Sequence, residues 1–277
     1  MADHALHGSP IGCRSDALLA AKSLWEVLII TSEPRRWHSS AAYLYLLRLN
    51  RPLLAWEYLR RNTGYQEDWA RRHGVDARDP HSRWQLEVFE DPDLDGRVAR
   101  PMWLLDTKRR ARLRAAEPVD GQEPFSFWTI PGPKRLVHDG RRLLLNGYAE
   151  SDMLHLMLEN DLHDGEPFEY ALVPKTDMDE QWRSIQRQQL LLMERQSSVV
   201  ATLPRPDRLA LWHMRSLHAV DGSACGASQR EIAAGLFGEE FTATNWHPDS
   251  ELRAQVRHLL RRARALVAGG YRGLISP

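Results

Sequence analysis

The chain has 277 residues, 43% of them apolar, with 37 basic and 37 acidic side chains, ten tryptophans and two cysteines. That length and apolar content suit one large domain or two small ones and exclude a disordered chain. Zero net charge excludes a protein that coats nucleic acid over its whole surface, but it leaves room for a local basic face.

Cys13 and Cys225 lie far apart and outside any paired motif, which is the usage of a reducing compartment. No apolar run reaches the length of a membrane span, and residues 1–25 lack the order of a signal peptide. The expectation is a cytoplasmic protein with no membrane partner and no cofactor.

Residues 1–38 read as a loose leader, with one short helix possible in "ALLAAKSLWEVLII". From Ser39 the pattern sharpens into helices over about 40–49 and 52–61, interrupted by Asn50-Arg51-Pro52, and a third over 64–73 after the turn chemistry of Asn62-Thr63-Gly64. Trp84, Leu86 and Val88 alternate, which predicts a short strand ending at Asp91-Pro92. A charged helix is expected over 105–116. The Pro/Gly-rich stretch "EPVDGQEPFSFWTIPGPKR" marks a boundary. After it, Val137, Asp139-Gly140, Leu143 and Leu145 predict a hairpin. Residues 150–160 and 177–196 read as helical. The fold class is mainly α with a small β component (α+β). Its parts are the leader 1–38, a small helical domain 39–116, a linker and β-hairpin region 117–176, and a helical domain 177–277.

The last 75 residues carry the chemistry. Leu209, Trp212, Met214 and Leu217 follow a helical rhythm closed by Gly222. Ser228 with Glu231 three residues on is a capping box, in which each reaches the other's amide. Ile232, Ala233 and Leu236 then face inward and Gly238 stops the helix. A long helix starts near Asp249-Ser250-Glu251 and runs to about Ala268, ended by Gly269-Gly270. Residues 253–272 of this segment hold six arginines and no acid. Leu252, Val256, Leu259, Leu260, Ala263, Leu266 and Val267 share one face, while Arg253, Arg257, Arg261 and Arg264 fall on an adjacent stripe about 80° wide. Arg262 points elsewhere. A helix, a short capped helix and a long basic helix is the layout of helix-turn-helix DNA readers. Arginine suits that task because its fixed fork matches phosphate and guanine edges. The connector 239–250 is longer than the usual turn.

"GASQREIAAGLFG", a tryptophan, then "DSELRAQVRHLLRRARALVAGGYRGLI" resembles the DNA-binding domain of RovC-like type VI secretion regulators and of FseA-type activators of integrative and conjugative elements in proteobacteria. "AWEYLRRNTGYQEDW", residues 55–69, resembles the transcriptional-regulator-like domain that accompanies it. The resemblance implies a variant helix-turn-helix that accommodates the long connector, DNA contact at promoters, and contact with other transcription proteins. Its shared positions are Ser228, Arg230, Glu231, Ile232, Ala233, Gly238, Trp246, Arg253, Arg257, Arg261, Gly269, Gly270, Tyr271 and Arg272. DNA contact passes to the arginines; the others read as caps, core and turn. Members include both activators and antiactivators, so the sign of regulation stays open.

The expected DNA contacts are therefore Arg253, Arg257, Arg261 and Arg264, with Arg272 beyond them and Ser228 and Arg230 touching backbone phosphates from a helix N-terminus. Arg60, Arg61 and Tyr65 are candidate contacts to a protein partner, such as RNA polymerase, another regulator or a second copy of the chain. The competing reading makes Trp56, Leu59 and Trp69 a core with the two arginines solvated. A rival function is a protein-binding antiactivator that uses the same helices without touching DNA. No catalytic constellation is found. His258, Arg261 and Tyr271 lie within 14 residues, too close to converge as a tyrosine recombinase does. His138-Asp139 and His163-Asp164 sit beside glycine in apparent turns and lack the further ligands a metal site needs.

Overall fold

The computed structural model describes residues 36–74, 83–104, 110–130, 133–138, 142–148, 153–172, 174, 178–193 and 206–275. Within it, Trp37–Pro277 form one compact unit. The expected leader otherwise lies outside the described residues. Its end is a core group: Trp37 is buried among Ala219, Ile232, Leu252 and Val256.

The expected helix over 40–49 is a 3-10 helix, Ser40–Arg48. Its buried residues Tyr43 and Leu46 are three apart, a spacing that a three-residue turn places on one line. Helix α1, Arg51–Leu59, begins with the Asn50 side chain accepting from the Leu53 amide, and α2, Thr63–Ala70, is capped in the same way by Asn62. The strand expected at 84–90 is reduced to one bridge, Leu86 to Trp103. Gln85 beside it has φ 58°, which breaks the extended run. A short helix α3, Gly96–Ala99, starts at the Asp95 cap.

A five-stranded sheet follows: β1 Ala111–Ala115, β2 Lys134–His138, β3 Leu143–Tyr148, β4 Met153–Leu158 and β5 Phe168–Ala171, in the order β2-β3-β4-β1-β5. The β2–β3 hairpin agrees with its sequence reading, with Leu136 opposite Leu145. Two helices expected nearby are strands instead. In β1, Ala111 and Leu113 point inward while Arg112 and Arg114 do not; residues 105–109 of that expected helix lie outside the described part. In β4 nearly every side chain is buried, and β4 runs parallel to β1 and antiparallel to β3. A strand covered on both faces is apolar throughout, so periodicity does not separate it from a buried helix. Helix α4, Met178–Met193, lays Ile185, Leu191 and Leu192 on this sheet.

The C-terminal helices are α5 Arg208–Ala224, α6 Gln229–Phe237, α7 Glu239–Asn245, α8 Glu251–Ala265 and α9 Arg272–Ile275. Helix α7 lies in the long connector and carries no clear periodic signal in the sequence. Gly222 does not close α5, which runs to Ala224. A Cβ there would lie 2.9 Å from Trp37 Cε3, so glycine makes room for that ring. Helix α8 ends at Ala265, before a widened turn over Leu266–Gly270 in which Gly269 has φ 142°.

Trp56, Tyr58, Leu59 and Tyr65 of the N-terminal helices share one cluster with Leu217 of α5 and Tyr271 before α9. The sheet with α4 forms a second cluster between them in sequence.

Candidate nucleic-acid interface

Helix α8 is organised by its buried face. Leu252, Val256, Leu259 and Leu260 are buried against Trp37, Ile232 and Ala233, Ala263 on the same face is buried too, and Ser250 caps the helix by accepting from the Arg253 amide. Leu266 and Val267 pack partly against the N-terminal cluster rather than continuing that seam. With the seam fixed, helical geometry sends the next face to solvent. Arg257, Arg261 and Arg264 are exposed and Arg253 is half-buried. Among the described residues, no carboxylate lies within ion-pair distance of any of the four. Arg264 is steadied by donating to Ser223 Oγ at 2.7 Å, across to α5. The result is a cationic ridge on a helix that cannot roll.

The other expected contacts are placed differently. Ser228 and Glu231 form the full capping box: the Ser228 amide donates to Glu231 Oε2 at 2.7 Å, and Ser228 Oγ accepts from the Glu231 amide at 3.3 Å. The hydroxyl and amide of Ser228 hold the Glu231 carboxyl below its ordinary pKa. An ionised carboxylate thus sits at the N-terminus of α6, and it opposes a phosphate there. Arg230 is exposed. Arg272 is not on the ridge. It donates to the Arg83 carbonyl at 2.6 Å and lies over the Tyr271 ring. Arg262, also off the ridge, lies over the Trp212 ring at 4.5 Å.

Arg60, Arg61 and Tyr65 turn inward, which corrects the expectation of a partner surface. Tyr65 is fully buried and donates to the Glu90 carbonyl at 2.6 Å. Arg61 pairs with Glu57 at 2.7 Å and with Asp221 of α5 at 2.7 Å, and Arg60 pairs with Glu57. Burial alone would raise the Glu57 pKa. Arg60, Arg61 and the Gly96 amide outweigh it and bring it to about 2. Asp221 is likewise pushed up by burial and pulled lower still by Arg61. These charges tie the N-terminal helices to α5, a role that single-residue patterns do not reveal. Tyr271 packs in the core and donates to the Trp84 carbonyl at 3.2 Å. Among the described residues, no group of three or more His, Cys, Asp or Glu could hold a metal ion, and no helix is long and apolar enough to cross a membrane.

A short capped helix, a long helix with an unopposed arginine face and a supporting helix that shares their core make a surface suited to a polyanion such as DNA. Comparison with known families adds the particular kind. Residues 172–276 match the family described as "T6SS, Transcription factor, DNA binding domain". Residues 36–87 match the "Proteobacterial transcriptional regulator-like domain". Residues 113–148, which span β1 to β3, match a domain of unknown function, DUF7011. The first two occur in the order that the sequence motifs imply. No curated protein matches the chain. The C-terminal part is therefore similar to a transcription-factor DNA-binding domain and the N-terminal helices to a transcriptional-regulator-like domain, two matches that point to a transcriptional regulator.

Proposed function

We propose that the chain is a transcriptional activator that docks the arginine ridge of α8 on duplex DNA, at promoters of type VI secretion or mobile-element genes. The observation that carries this reading is the ridge itself. Arg253, Arg257, Arg261 and Arg264 project from a helix whose adjacent face is locked in the core, and none meets a carboxylate among the described residues. Guanidinium groups held this way can meet phosphates or guanine edges without first breaking internal ion pairs. The secretion-gene class rests on the family description, whereas the mobile-element class and the activating role rest on the resemblance of the two sequence motifs and on their presence in one chain.

The test is a gel shift at low salt with DNA from upstream of the chain's own gene, comparing wild type with the double variant Arg257→Ala, Arg261→Ala. The expected result is a shift that the variant loses while its circular dichroism is unchanged. A folded variant with wild-type affinity overturns the docking surface. A wild type that retains a protein partner and never shifts DNA favours the antiactivator instead.

A further inference from the structure

Arg262 was set aside by the helical pattern, and its surroundings define a second feature. On α8 it lies on the flank away from the ridge, together with Gln255. There, α5, α6 and α8 enclose a cleft of about 250 Å³ lined by Arg208, Leu211, Trp212, Arg215, Phe237, Gln255 and Leu259. Its walls are apolar and its rim is cationic. Arg262 lies over the Trp212 ring at 4.5 Å and Arg215 over the Phe237 ring at 5.4 Å. Among the described residues, Arg208, Arg215 and Arg262 meet no carboxylate. The nearest acid in sequence, Asp207, is engaged as the α5 cap, accepting from the Ala210 amide at 2.6 Å.

The size and chemistry select the occupant. Pockets for small molecules run from about 300 to 1,000 Å³ and enclose most of the ligand. This cleft is smaller and opens onto the exposed Arg208 and Arg262 and the half-buried Arg215, so it suits one apolar side chain flanked by acids. Trp and Arg together are also the commonest anchors of protein interfaces. The chain itself presents such a segment. Residues 117–124 are all exposed, and Val119 in their midst is 65% exposed. Glu117, Asp120 and Glu123 surround it, and none is paired among the described residues. The loop is held in shape at both ends: Ala116 N donates to the Pro167 carbonyl at 3.1 Å and Phe125 N to that of Glu166 at 2.8 Å. At its tip, Gln122 N donates to the Val119 carbonyl at 3.0 Å and Gly121 takes φ 79°. A pre-shaped loop loses little entropy on docking.

We infer that the cleft between α5, α6 and α8 receives the Val119 loop of a second copy of the chain, its three carboxylates meeting Arg208, Arg215 and Arg262. The contact is head-to-tail, because cleft and loop are different surfaces. It leaves the α8 ridge free, so copies can line up on one DNA.

The association is measured by sedimentation velocity on the full chain without DNA, so its outcome is independent of the DNA reading. Wild type is expected to associate with rising concentration, less so at high salt. Val119→Glu alone, and Arg215→Glu with Arg262→Glu, are each expected to be monomeric, with circular dichroism unchanged. Mixing those two variants is expected to restore a discrete one-to-one dimer, since each keeps the surface the other lacks. A wild type that stays monomeric overturns the inference, as does association that survives either variant or a mixture that fails to pair. A fluorescein-labelled peptide of residues 115–125 is expected to bind wild type and to lose about tenfold or more on the arginine variant. Peptide binding by a chain that never self-associates assigns the cleft to an acidic segment of another protein and overturns the second-copy occupant.

Discussion

Arg61 grips Asp221 side-on, with Nε donating to Oδ1 at 2.7 Å and Nη2 to Oδ2 at 2.9 Å. The pair joins the end of α1 to α5 across 160 residues of sequence. Tyr43 donates to the same Asp221 Oδ2 at 2.8 Å, so two N-terminal groups converge on one carboxylate of α5, and Arg61 also holds Glu57 of α1. The regulator-like segment thereby positions the support of the α8 ridge.

Asp221→Ala removes the acceptor of both Arg61 and Tyr43 and leaves a largely buried guanidinium with Glu57 as its remaining carboxylate. The expected loss of stability is about 3 kcal/mol, the scale for breaking a buried ion pair. Urea denaturation followed by tryptophan fluorescence measures it; a loss below about 1 kcal/mol would show that solvent screens the pair as at a surface.

Stability is expected to fall with acid in two stages. Burial, aided by nearby Arg262, lowers His213 to about 4, and burial with Arg110 and Arg187 lowers His155 to about 3. Each binds a proton more readily once unfolded, near its ordinary 6.5, so the stability it contributes is present above 6.5 and is lost as the pH falls toward its folded value. Glu57, lowered from 4.5 to about 2, contributes stability above its unfolded value and loses it between about 4.5 and 2. Denaturation midpoints should fall between about pH 6.5 and pH 3, more steeply once Glu57 also takes up its proton below about 4.5; a flat profile over that range contradicts the buried, neutral histidines.

Gly222→Ala places a methyl 2.9 Å from Trp37 Cε3 and 3.1 Å from Ile232 Cγ1. Overpacking of this kind costs about 1–3 kcal/mol. Thermal melts of Gly222→Ala, Trp37→Ala and the double variant should be less than additive in cost, because the second change relieves the clash of the first.

Ser228→Ala breaks the capping box and is expected to cost about 1 kcal/mol. With Glu231 already at that helix end, DNA affinity should stay close to wild type. A large affinity loss at unchanged stability would restore Ser228 as a phosphate contact.

If three or four phosphates are neutralised per copy, the logarithm of DNA affinity should fall with that of salt concentration at a slope of roughly −3. Arg257→Ala should make the slope shallower by about one, whereas Arg262→Ala, on the other flank of α8, should leave it unchanged. Titrations at several salt concentrations measure both.

Local chemistry made much of the C-terminal domain legible. The Ser228–Glu231 box, the helix start near Asp249-Ser250-Glu251 and the spacing of Leu252, Val256, Leu259, Leu260 and Ala263 each act within a few residues, and each appears as read. Signals spread over distance were not legible. β1 and β4 read as helices because their strand character comes from pairing with each other. Arg60, Arg61 and Tyr65 read as surface because their partners, Asp221 and the Glu90 carbonyl among them, lie elsewhere in the chain.

By itself, the sequence determined which helix carries arginine and which of its faces is apolar, because a helix repeats every 3.6 residues whatever surrounds it. Only the tertiary structure decided which charges are free to act. An arginine between two carboxylates becomes a strut, and an identical one without them stays free of internal ion pairs. That difference depends on which distant groups folding brings within about 4 Å.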